Sequence, residues 1–102
     1  MTSKQRAYLI SLAMQLDPVV QIGKTGLSPE ITQAADEALA ARELIKIQIQ
    51  RTAPEMDLRE TAQTLAGRTR AEVVQTIVRR FVLYREGDAV HGKITLPRSK
   101  RA

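Results

Sequence analysis

Residues 44–50, LIKIQIQ, alternate cleanly, with Ile45, Ile47 and Ile49 on one face of an extended chain and Lys46, Gln48 and Gln50 on the other. This period-two pattern predicts a half-buried strand. Helix signals stand on both sides of it. Upstream, Ser28-Pro29-Glu30 supplies a capping hydroxyl, a proline at the first helical position and an acid near the positive end of the dipole. Ile31, Ala35, Ala38 and Leu39 then form a buried stripe. Downstream, the chain breaks from Pro54 to Asp57. Asp57 with Glu60 makes a capping-box pattern ahead of Leu58, Ala62, Leu65 and Ala66, a helix expected to end near Gly67 to Arg70.

The same punctuation organises the rest of the chain. Thr2 and Gln5 form another capping box, and Tyr8, Leu9, Leu12, Ala13 and Leu16 recur at helical spacing, which predicts a first helix from about Ser3 to Leu16. Asp17-Pro18 stops it, because proline restricts the residue before it. Val19-Val20-Gln21-Ile22 reads as a short buried strand. After the third helix, EVVQTIV and FVLYR are two strands joined closely around Arg79-Arg80, without the Asn-Gly signal of a two-residue hairpin. The order α-β-α-β-α-β-β predicts an α/β (α+β) fold, a four-stranded mixed sheet packed by three helices. At 102 residues the chain suits one core. It divides into a body, residues 1–88, and a basic C-terminal tail, residues 89–102, where KITLP either adds an edge strand or lies over the body.

Charge is unevenly placed. The body carries 12 Lys+Arg against 11 Asp+Glu, and the tail 4 against none. From Ser28 to Ala41 there are three acids and no base, whereas Arg42 to Arg85 carries nine bases against five acids. One basic side suits a polyanionic partner. The absence of cysteine excludes disulfides, thiolate zinc sites and thiol nucleophiles, and fits a reducing, cytoplasmic setting. Neither a signal peptide nor a membrane span is expected.

QIGKTGLSPEI, residues 21–31, places two glycines around Lys24 and Thr25 between a strand and a helix. A nucleotide-binding P-loop would need a further glycine at position 18, which is proline, and its helix would start sooner. Gly-x-x-Gly instead lets main chain approach a phosphodiester backbone without Cβ interference, as in KH domains, with Lys24 adding charge and Thr25 a hydroxyl. A purely structural turn explains the same four residues when they are taken alone.

Taken together, PVVQIGKTGLSPEI, ELIKIQI, VLYR and KITLPR resemble the YhbY-like family, the single-domain bacterial form of the CRM (chloroplast RNA splicing and ribosome maturation) domain, over nearly the whole chain. The resemblance implies a fold similar to the C-terminal domain of bacterial translation initiation factor three. It also implies a small RNA-binding protein associated with precursors of the large ribosomal subunit. By position, Gly23, Lys24, Thr25 and Gly26 would be the RNA-contacting loop and Lys46 the basic residue of the strand after the second helix. Family members often have glycine near Arg70 and in the turn near Val78, and this chain has neither.

Arg79 and Arg80 are candidates for gripping phosphates, with a solvated turn as the plain alternative. Arg42 and Lys46 would extend the glycine-loop surface, and Arg98, Lys100 and Arg101 would add non-specific affinity. Tyr8, Phe81 and Tyr84 are the three aromatics, each expected in the core and not in base stacking, which disfavours a single-strand stacking platform. The lone histidine, His91, lies in the tail, and no paired-carboxylate, metal or triad pattern appears. The expectation is a monomeric, cofactor-free, non-enzymatic protein that binds structured RNA. Its rival is an adaptor that docks on a ribosomal protein or assembly factor through its acidic second helix. Binding of DNA by a helix is weaker, since no helix carries a continuous basic face.

Overall fold

The computed structural model describes residues 1–87, and the predicted element order holds throughout them. Residues 88–102, and with them the tail, His91 and KITLP, lie outside the described residues.

Helix α1 spans Ser3–Ala13 and opens on the expected capping box: the Gln5 N–H donates to Thr2 Oγ1 at 3.1 Å and the Thr2 N–H to Gln5 Oε1 at 3.0 Å. It ends three residues before the predicted Leu16. The following turn tightens instead, with the Gln15 and Leu16 N–H groups donating to the Leu12 and Ala13 carbonyls, and the chain then reaches Asp17-Pro18. Strand β1 is Val20–Ile22, α2 is Pro29–Arg42 and β2 is Leu44–Ile49. The α2 start is as the sequence predicts, with Ser28 Oγ accepting from the Ile31 N–H at 3.3 Å and proline in the first turn. Helix α3, Leu58–Thr69, is capped by Asp57, whose Oδ1 accepts from the Glu60 N–H at 2.8 Å. It closes on Arg70 in the left-handed region, φ 58°.

Strands β3, Glu72–Ile77, and β4, Arg80–Tyr84, form a hairpin in which Ile77 pairs with Arg80. The connection is therefore the two residues Val78 and Arg79, and Arg80 belongs to the strand, a correction to the predicted turn. Val78 takes φ 55°, the role that Asn-Gly normally fills. Bulging at Val74 sets Val73 opposite Leu83 and Gln75 opposite Val82. The Arg6 guanidinium donates to the Val73 and Val74 carbonyls at 2.9 and 2.8 Å, so part of this sheet edge is occupied by a charged side chain.

The sheet order is β1-β2-β4-β3, with β1 parallel to β2 and the other pairs antiparallel. Helices α2 and α3 cover one face. There Ile22, Ile45, Ile47, Phe81 and Leu83 pack with Ala35, Leu39, Ala62 and Leu65, all almost completely buried. Burying each of the larger side chains contributes about 1.5–3 kcal/mol, so this face holds most of the stabilising apolar area. Helix α1 covers the other face with Leu9 and Ala13 against Leu44, Val74, Val82 and Tyr84. Tyr8, expected in the core, is 37% exposed, since Leu9 and Ala13 take the buried stripe.

Candidate nucleic-acid interface

Parallel pairing of β1 with β2 makes both strands leave the sheet at the same end. At that end Gly23 to Gly26 form a tight turn closed by the Gly26 N–H donating to the Gly23 carbonyl at 2.9 Å. Lys24 and Thr25 occupy its two central positions, both exposed. Gly26 has φ 63°, a conformation that side chains resist. Gly23 is constrained differently, and more mildly: a Cβ there would lie 3.2 Å from Gln50 Oε1, the end of a flexible side chain.

Gln50 is the junction of this end. Its N–H donates to the Ile22 carbonyl at 2.9 Å, its side-chain amide donates to Gln21 Oε1, and its carbonyl accepts from the Ala53 N–H at 3.0 Å. The Arg79 guanidinium also reaches that carbonyl at 3.5 Å, while the Arg79 carbonyl accepts from the Ile49 N–H at 2.7 Å. The glycine turn, the β2–α3 connection and the hairpin turn are thereby joined side by side. Beneath the turn, the Arg68 guanidinium donates to the Leu27 carbonyl at 3.1 Å and ties the loop to α3.

The predicted residues divide by place. Gly23, Lys24, Thr25, Gly26 and Arg79 come together at the sheet end. Arg80 and Lys46 project from the face that α1 packs on, in register with Gln48 and Val82 respectively. Arg42, at the last position of α2, is set apart: it precedes β2, whose six residues span roughly 20 Å, so it stands at the opposite end of the sheet. The helix that follows the glycines offers an anion little, because Pro29 has no N–H and Ser28 already takes that of Ile31.

Arg51, not among the candidates that the sequence singles out, joins them by position. It is exposed, immediately follows Gln50 and shares the end of the sheet with the glycine turn. Its signal was topological: two parallel neighbours joined by a helix emerge side by side, so the residue after β2 must lie near the one after β1. None of Lys24, Lys46, Arg51 and Arg80 has a side-chain hydrogen bond or ion pair among the described residues. Four cations without carboxylate partners leave their charge available to an anion.

A family model described as the CRS1 / YhbY (CRM) domain matches residues 1–85. The chain belongs to this family. Within the CRS1/YhbY group it is 40% identical over 86 residues to Probable RNA-binding protein YqeI of Bacillus subtilis (strain 168), covering 84% of this chain and 88% of that protein. It is 36% identical to a protein named RNA-binding protein of Haemophilus influenzae, over 96% of each chain. The solution structure of the hypothetical protein SAV1595 from Staphylococcus aureus superposes with a TM-score of 0.78 at 41% identity, over 95% of this chain and 99% of that one. The α+β architecture predicted from element order is the one observed, and the family is the one that the sequence resembles. Among the described residues, no helix is long and apolar enough to cross a membrane.

Proposed function

We propose that this chain is a non-catalytic RNA-binding protein of the cytoplasm that clamps structured ribosomal RNA during assembly of the large ribosomal subunit. One observation carries the clamp: the Gly23–Gly26 turn lies against Gln50 and Arg79, with Lys24 and Arg51 unpaired beside it. The tight turn presents Lys24 and Thr25 outward, and a phosphate that meets them is held by the neighbouring cations. The names of the relatives support RNA as the partner. Assembly of the large subunit is the step that the family resemblance favours.

The adaptor reading has less support. Asp36 on α2 is already paired with Arg85 at 2.5 Å, and the Glu37 carboxylate accepts from the Gln33 amide at 3.1 Å, so the acidic face is partly engaged within the chain.

Replacing Lys24 and Thr25 together with aspartate tests the clamp, because neither position needs an unusual backbone angle and both side chains are exposed. Binding to a structured ribosomal RNA fragment is expected to fall at least about tenfold, with the fold intact by circular dichroism. Full retention of binding by the folded variant would remove the loop from the interface. Binding of a DNA of the same sequence as firmly as the RNA would remove the RNA assignment.

A further inference from the structure

Helix α1 is too short to cover its face of the sheet. It packs over Leu44, Val82 and Tyr84 and stops at Ala13, so among the described residues no helix lies over the row Gln21, Gln48, Arg80, Ile77 at the glycine-turn end. Between that helix end and the sheet lies a groove of about 360 Å³. Ile10 and Met14 form its helical wall, Val82 and Lys46 its floor, and Gln75, Ile77 and Arg80 its far side. Met14 is 77% and Ile77 52% exposed, so this is open apolar surface at the margin of the interface.

We infer that this groove receives one unpaired nucleotide of the bound RNA, with its base against the aliphatic walls and its phosphate between Lys46 and Arg80. The inference rests on the RNA reading and extends it from backbone clamping to recognition of a base.

Three features select this occupant. The groove is lined by two cations and no acid, and neither cation has a partner among the described residues, so it is complementary to an anion attached to an apolar body. Gln75 is a half-buried amide that presents both a donor and an acceptor, as the edge of a base requires. The volume is near the small end of ligand clefts, roughly 300–1,000 Å³, which suits one nucleotide and not a packed helix or a run of stacked bases. Arg80 also pairs with Gln48, beside Gln21 and Ile22 before the glycine turn, so a strand of RNA held at the turn reaches the groove without leaving the protein.

The test uses the full chain and three RNA hairpins with the same stem: one carrying a single bulged 2-aminopurine, one with an abasic bulge, and one fully paired. Wild-type protein is expected to bind the 2-aminopurine hairpin about tenfold tighter than the abasic one. Emission should rise on binding, because the base leaves its stacked neighbours for a groove with no aromatic lining. The double variant Gln75→Ala, Ile77→Ala should reduce the preference to within about twofold while leaving affinity for the abasic hairpin unchanged. Met14→Ala, at an exposed helix end, should also reduce it, without touching the sheet. Equal affinity of the wild type for the bulged and abasic hairpins overturns the groove while sparing the clamp, and so does a preference that survives in these variants. Failure to bind any of the three hairpins overturns the RNA reading, and the groove falls with it.

Discussion

The Gln50 N–H donates to the Ile22 carbonyl at 2.9 Å, which fastens the strand end ahead of the glycine turn to the first residue of the β2–α3 connection. Because the Arg79 guanidinium donates to the carbonyl of the same Gln50 at 3.5 Å, one glutamine aligns the three loops of the candidate interface. The position of the turn is thus a property of the sheet, while its conformation is a property of the two glycines.

Those glycines should respond differently to alanine. Gly26→Ala forces a side chain into φ 63°, where the backbone penalty is about 1–2 kcal/mol, although the added methyl would meet only ordinary contacts at 3.7 Å or more. Gly23→Ala brings a methyl within 3.2 Å of Gln50 Oε1, the end of a flexible side chain, and should cost less. Urea denaturation of both variants checks this order. A larger loss for Gly23→Ala would mean that crowding, not backbone angle, dictates the turn.

Val78 and Arg70 hold positive φ angles of 55° and 58°, a region that glycine adopts without strain. Val78 is 85% exposed, so replacing it sacrifices almost no packing. Val78→Gly should stabilise the protein by about 1 kcal/mol, since relief of a strained β-branched residue exceeds the added chain entropy of glycine. A rise of about 4–8 °C in Tm is expected. Arg70→Gly should act in the same direction and by less, because left-handed φ strains an unbranched side chain less than a β-branched one. A fall in Tm for Val78→Gly would contradict the strain.

Arg85 joins three elements: it meets Asp36 Oδ1 at 2.5 Å and donates to the Asp36 and Thr69 carbonyls at 3.0 and 2.9 Å. Asp36 is largely exposed, so the charge attraction itself is worth little, under about 1 kcal/mol, and the carbonyl contacts should dominate. Arg85→Met is expected to cost about 1–3 kcal/mol and Asp36→Asn less than about 1 kcal/mol. Equal losses in denaturant titrations would show that the ion pair matters more than the main-chain acceptors.

Tyr84 is buried with its hydroxyl unpartnered among the described residues, and burial, followed by the Glu43, Glu86 and Glu72 carboxylates, raises its pKa above the ordinary 10.0. Tyr84→Phe removes an unsatisfied group and should stabilise the fold by about 1 kcal/mol at neutral pH. The sign at high pH follows from the direction of the shift. The unfolded chain releases this proton near pH 10.0 while the folded chain retains it, so the stability is fully present below that pH and is lost as the pH rises toward the folded value. The wild type should therefore lose stability above pH 10 more steeply than Tyr84→Phe. Parallel alkaline profiles would contradict the burial of a neutral phenol.

Local signals made most of the fold legible. Thr2, Ser28 and Asp57 each cap a helix where the sequence places one, and the Ile45, Ile47, Ile49 alternation faces the α2 and α3 core as its period requires. Three features were not legible, each for a physical reason. Helix α1 stops short of Leu16 because the chain must turn back toward β1 through Asp17-Pro18, a constraint that periodicity does not carry. The two-residue turn is hidden in the sequence because a valine stands where the backbone calls for glycine. The nearness of Arg51 to the glycine turn and the distance of Arg42 from it are hidden in the sequence, because linear proximity to a motif says nothing about which end of the sheet a residue occupies.

The most direct measurement of the central claim is the salt dependence of affinity for a structured ribosomal RNA fragment. Lys24→Ala and Arg51→Ala should each weaken binding and flatten the slope of log K against log salt by about one. Arg42→Ala, at the far end of the sheet, should leave both affinity and slope near those of the wild type. An unchanged slope for Lys24→Ala, or a loss for Arg42→Ala as large as for Lys24→Ala, would contradict a clamp built on the glycine turn.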